Sequence, residues 1–256
     1  MGGDLVLSTA TLMGFLLTLA RVAGVFVFVP MPGMTSVVNP ARVILAMSIT
    51  IALFPQWPRI AAYPSAGQLA MWLLVEAALG VGIGLAVGFV TECFGVAAQV
   101  MGLHVGFAFA STIDPNTQAD STVLVTFSQV AAGLLFFATG LDRDVLRVFA
   151  RSLELCPAGT FVLTRGAATQ VLSAGSTMFS TGLRLALPIV AVAVMIDISL
   201  ALLGRVNAQL HLLTLAMPAK MLVGLAMLAW LALLFPLLYR SESGLTLTVA
   251  RGLIAR

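Results

Sequence analysis

The chain has 256 residues, 60% of them hydrophobic and only 9% charged, with a mean hydropathy of +1.08. A soluble domain averages about 45–50% apolar and about 25% charged residues, so this chain has too little charge to cover a soluble globule. That excludes a cytosolic enzyme and a disordered segment, and it points to an all-α, multi-pass integral membrane protein, read as one domain over residues 1–256. The 13 basic and 10 acidic residues leave a net charge of +3, and no basic cluster of the kind that tracks nucleic acid is present.

A membrane-crossing helix needs about 20 mostly apolar residues. The start, Met1-Gly2-Gly3-Asp4, lacks a basic region, so the first apolar run, Leu5–Val29, is expected to stay in the mature protein. It holds one ionisable residue, Arg21, and Pro30-Met31-Pro32-Gly33 ends it. Val43–Phe54 is too short to span alone and reads as half of a hairpin, a re-entrant segment or a buried helix. Pro55, Pro58 and Pro64 then mark a loop. Leu69–Val90 carries Glu76 together with Gly80, Gly82, Gly84 and Gly88. Gly80-xxx-Gly84 and Gly84-xxx-Gly88 are patterns that let helices approach closely. Glycine in an ordinary helix costs about 1 kcal/mol relative to alanine, so this run predicts close packing or a bend.

Glu92 precedes Cys93–Ile113, the first run free of Asp, Glu, Lys and Arg. Cys93 and Cys156 are not in a CxxC arrangement and read as buried, reduced thiols. Gly102–Ser121 is the most unusual segment. Small and aromatic residues alternate through Gly106, Phe107, Ala108, Phe109 and Ala110, and break at the turn signal Asp114-Pro115 after Ile113. Phe107 and Phe109, two apart, share a side only in an extended or irregular backbone. Within a membrane such backbone is tolerated only inside protein or along a cavity. The segment reads either as an ordinary helix end and turn or as a pore-constricting loop.

Ser121–Leu141 is a second charge-free run. Leu141–Arg151 is the most charged stretch, and Arg143, Arg147 and Arg151 share a helix face at spacings of four. It is a solvated hairpin end or a partner-docking patch. Leu183–Leu203 carries Arg184 and Asp197, and Met221–Tyr239 is the third charge-free run. The arginines outside these runs give no clean positive-inside alternation, which argues against simple straight spans. No internal repeat is evident, unlike many solute transporters.

No HExxH, GxSxG, Walker A or complete GxGxxG pattern occurs. His104 and His211 lie far apart, without carboxylates at metal-ligand spacing, and read as packed or pore-lining polar residues. No enzymatic activity, cofactor or metal is expected. Ionisable residues inside apolar runs are functional candidates by default. Here they are Arg21, Glu76, Glu92 and Asp197, with three alternatives: pairing between helices (for instance Arg21 with Glu76, or Arg184 with Asp197), partner contact, or a proton relay.

Three motifs carry a family resemblance. The first is Leu19-Ala20-Arg21-Val22 followed by Pro30, then Asn39-Pro40-Ala41-Arg42-Val43 and Ile49-Thr50. The second and most specific is Gly102-Leu103-His104-Val105-Gly106-Phe107-Ala108-Phe109-Ala110 with Asp114-Pro115. The third is Leu202-Leu203-Gly204-Arg205 with Gln209 and Met217-Pro218. Through them the chain, over roughly residues 10–240, resembles the flagellar biosynthetic protein FliR family, whose injectisome relatives serve type III secretion. His104 departs from the family's usual Gln, and Ala208, His211 and Ala216 depart within the third motif.

The resemblance implies a non-enzymatic subunit of the flagellar export gate, in the bacterial inner membrane at the basal body. One copy would join several copies of a FliP-like and a FliQ-like subunit, beside a FlhB-like switch subunit. Kinked helical hairpins would form part of a helical export-channel assembly that passes unfolded flagellar subunits. By motif matching, the loop that plugs the closed channel falls around Gly106–Ser121. Phe107, Phe109 and Ile113 would fill the channel, with Ala110 among them, and Gly106, Asp114 and Pro115 would set the bends. The alternatives are an injectisome subunit, or a small-solute transporter coupled through Glu76 or Asp197.

Overall fold

Asn39 and Pro40 illustrate how local chemistry starts a helix in this chain. The Asn39 side chain accepts a hydrogen bond from the Ala41 N–H at 3.0 Å, and Pro40 occupies the first helical position, where its missing N–H costs nothing. The computed structural model describes residues 9–31, 39–58, 60, 64–107, 123–157, 159–161, 164–206 and 212–254. In chain order its helices are α1 (Thr9–Phe28), α2 (Pro40–Ala52), α3 (Ala66–Val105), α4 (Val123–Ala138), α5 (Leu141–Leu155), α6 (Arg165–Val206), α7 (Leu212–Ala232) and α8 (Phe235–Ile254). A short 3-10 turn, Phe54–Gln56, follows α2.

Helices α1, α3 and α6 are long and apolar enough to cross a membrane. The pairs α4–α5 and α7–α8 each bend by more than 40° at a short break, and counting each as one span gives five. The protein is therefore an all-α membrane protein with kinked helices. At 13 residues, α2 covers only about 20 Å, short of the roughly 30 Å hydrocarbon layer.

Two boundaries differ from the sequence pattern. The run Leu69–Val90 and the part of Cys93–Ile113 up to Val105 join in one 40-residue helix, α3, because neither Thr91 nor Glu92 breaks a helix; a charge interrupts hydropathy, not backbone. The run Met221–Tyr239 is split instead, since α7 ends at Ala232 and α8 starts at Phe235.

The chain packs as two compact units. The first comprises Met1–Phe89, Gly140–Gly175 and Ser243–Arg256. Its main seam joins α1 to the first half of α3. A Cβ added at Gly80 would collide with the Arg21 carbonyl, one at Gly84 with the Val25 carbonyl, and one at Gly88 would stand 2.9 Å from the Phe28 oxygen. Gly24 on α1 answers them, 2.6 Å by the same measure from the Ala77 oxygen. The glycines thus serve close packing, with Leu17, Val22, Val25, Leu79, Ile83 and Val87 buried along the seam. Arg42 on α2 donates to the carbonyls of Phe26 and Val27, at 2.8 and 2.5 Å, and so caps the end of α1. Helix α5 buries Leu141, Val145, Val148 and Phe149, and exposes Arg143, Arg147 and Arg151. The charged stretch is the outer face of an amphipathic helix.

The second unit comprises Val90–Thr139 and Ser176–Glu242. Phe94 is central to it, with ring centroids 5.1 Å from Phe235 and 5.8 Å from Tyr239. Gly182 of α6 lets that helix approach the Cys93 carbonyl of α3, where an added Cβ would stand 2.8 Å away. Cys93 and Cys156 are buried free thiols.

Candidate functional site

Arg21 sits at the centre of a buried polar cluster in the first unit. Its side chain is 0% exposed and that of Glu76 1% exposed. The Nε donates to Glu76 Oε2 at 2.5 Å. One terminal nitrogen donates to the Ser152 carbonyl at 2.8 Å and to its Oγ at 3.3 Å, and the other donates to the Cys156 carbonyl at 2.8 Å. Ser152 and Cys156 stand at the end of α5, where a cation is favoured; the Ser152 carbonyl also accepts from the Cys156 N–H at 3.0 Å. The second Glu76 oxygen accepts from the Gly159 N–H at 2.9 Å. Gly159 adopts φ +79°, and a Cβ there would lie 2.9 Å from the Trp72 ring. One guanidinium and one carboxylate thus tie α1, α3, the end of α5 and the turn beyond it. The arrangement is a clamp, in which both carboxylate oxygens are already occupied.

Asp197 is ion-paired with Lys220 of α7, which corrects the suggested pairing with Arg184. Arg184 and Asp197 lie 13 residues apart on α6, about 20 Å along one helix axis, too far for their side chains to meet. Lys220 is the sole lysine and stands one residue before a charge-free run. That position was the available signal for it. Glu92 is exposed on α3.

The end of α3 is held by α7. Val105, the last residue of α3, packs so closely on Gly224 that a Cβ there would overlap its methyl groups. Gly106 follows at φ +93°, the left-handed conformation in which glycine commonly ends a helix. A Cβ on Gly106 would stand 3.0 Å from the Met217 sulfur. Phe107 is half-buried, and His104 is exposed with Nδ1 3.0 Å from the Val100 carbonyl. Phe109, Ala110, Ile113, Asp114 and Pro115 lie outside the described residues, as does His211. No group of three or more His, Cys, Asp or Glu side chains suited to a metal ion occurs among the described residues.

Kinked apolar helices, a glycine seam and a buried clamp define a helical membrane protein built for close helix packing. The model of the family described as "Bacterial export proteins, family 1" matches residues 12–244, and the chain belongs to this family. The chain is 29% identical to the "Flagellar biosynthetic protein FliR" of Escherichia coli (strain K12) over 212 residues, which are 82% of this chain and 81% of that protein. It is 24% identical to the protein of the same name in Caulobacter vibrioides over 203 residues, 78% and 81% of the two chains. The corresponding protein of Bacillus subtilis (strain 168) is 22% identical over 244 residues, 94% of each chain.

Proposed function

We propose that the chain is a non-enzymatic subunit of the flagellar protein-export gate in the bacterial inner membrane, at the flagellar basal body. The observation that carries this is the family match over residues 12–244, with relatives named as flagellar biosynthetic proteins along most of their own length. Those names favour the flagellar branch over the injectisome. The subunit assembles with FliP-like and FliQ-like membrane proteins and a FlhB-like switch subunit, and unfolded flagellar subunits pass through the channel they enclose. Residues 106–121 plug the closed channel. Phe107, Phe109 and Ile113 exclude water and ions, Ala110 lets them pack, and Gly106, Asp114 and Pro115 set the bends. A solute transporter coupled through Glu76 or Asp197 has less support, because those carboxylates are engaged by Arg21 and Lys220.

Capture from detergent-solubilised membranes followed by native mass spectrometry tests the assembly. A single copy bound to several copies of two small membrane proteins is the expected result. A lone or self-associated species that moves a solute in liposomes would refute it. Deleting Asn116–Asp120 tests the plug: ion leakage through the assembled gate is expected, and unaltered leakage and export would remove the assignment.

A further inference from the structure

Met217, Lys220 and Gly224 are spaced three and four residues apart and so share one face of α7. Each has a partner on that face. Lys220 pairs with Asp197 of α6, Gly224 receives Val105, and the Met217 sulfur lies against Gly106. Val105 is 2% exposed, so this contact is packed on all sides. Knob-in-notch packing of this kind is sensitive to register. A one-residue slip moves α7 by about 1.5 Å and turns it by about 100°. The slip would put Val223 or Leu225 where Gly224 stands, and neither has room for Val105.

We propose that this face of α7 is the seat that positions the last turn of α3, the root from which the proposed plug begins. The Asp197–Lys220 pair fixes α7 against α6 and so holds the seat in register. Asp197 and Lys220 are then positioning residues, not an ion-coupling site. A charge on an apolar helix is expensive unless paired, and a single pair between two helices constrains both rotation and height. The seat rests on the reading of residues 106–121 as the plug.

The test measures ion leak and secreted flagellar subunits in cells making the whole export apparatus. Five variants are compared: deletion of Asn116–Asp120, Gly224→Ala, Gly224→Ala with Val105→Ala, Asp197→Asn, and Asp197→Lys with Lys220→Asp. The deletion is expected to leak. Gly224→Ala is expected to raise leak about tenfold, the scale of a poorly fitted core contact acting on a two-state equilibrium. Adding Val105→Ala restores the fit and returns leak to near the native level. Asp197→Asn raises leak, and exchanging the charges (Asp197→Lys with Lys220→Asp) lowers it again. A leaking deletion with a tight Gly224→Ala gate would overturn the seat and leave the plug standing. If neither leaks, the plug and the seat fall together. Should Gly224→Ala fail to accumulate, Met217→Ala removes atoms without adding any; a tight gate in that variant would overturn the seat.

Discussion

Arg21 is the residue on which most depends. Its guanidinium meets three separate acceptors at once, the Glu76 carboxylate and the carbonyls of Ser152 and Cys156, a geometry that suits a planar fork of donors. Arg21→Met leaves Glu76 charged, buried and half-satisfied, at an expected cost of about 3–5 kcal/mol. The loss should show as a lower melting temperature of the detergent-purified protein. Replacing both Arg21 and Glu76 by Met should recover part of it, because no charge is left buried alone, while the Cys156 carbonyl and the Gly159 N–H lose their partners. Arg21→Lys should fail like Arg21→Met, since a single ammonium cannot span the three acceptors. The thiol of Cys156 reports the same event. In a Cys93→Ala background, maleimide should label Cys156 slowly in the native protein and faster in Arg21→Lys. Arg21 and Glu76 could be singled out from the sequence because they are charges in apolar runs. Their carbonyl partners could not, because a backbone acceptor more than a hundred residues away leaves no mark on the pattern.

Among the elements, the seam between α1 and α3 shows what the glycines do. Gly84→Val drives two methyl groups into the Val25 backbone, which cannot yield as a flexible side chain would. An overpacking cost of about 1–3 kcal/mol or more is expected, read as reduced thermal stability. Gly67 lies in the same helix with open space around it, and Gly67→Ala should be neutral or stabilise by up to about 1 kcal/mol. The Gly-xxx-Gly spacing made this seam legible in advance, although not its choice of α1 as partner. Helix lengths were less legible. The first half of α6, rich in Ser, Thr and Gly, has too little apolar character to stand out, yet its backbone stays helical. The bends were legible only in kind. Irregular charge alternation argued against straight spans, but the α4–α5 break depends on Gly140 at φ +78°, and glycine occurs throughout the chain.

At the scale of the molecule, many large apolar side chains remain exposed, among them Ile44, Leu172, Leu222, Trp230, Leu233 and Leu237. Large apolar side chains exposed in such number would favour aggregation of a soluble monomer. Under the proposed function, lipid and the partner subunits would cover these side chains. Made without those subunits, the protein should self-associate in mild detergent. Made with them, it should elute as one defined complex, and light scattering after size-exclusion chromatography separates the two outcomes. The proposed plug segment is where sequence and structure contribute least together. Its role rests on motif matching, whereas the packing of Val105 on Gly224 at its root could not be read from the motifs.

The clamp around Arg21 also bears on how the chain is made. Glu76 waits for Gly159, which follows it by 83 residues; at about 5–20 residues per second, that is roughly 4–17 seconds of synthesis. Throughout that interval the newly inserted first helices carry a carboxylate and a guanidinium with contacts still missing. The Arg21–Glu76 pair lacks its contacts with Ser152, Cys156 and Gly159 until the chain beyond α5 has been made. A product that stops before residue 159 would leave this cluster incomplete. The ion pair therefore gains its full set of partners only after residue 159 has been made.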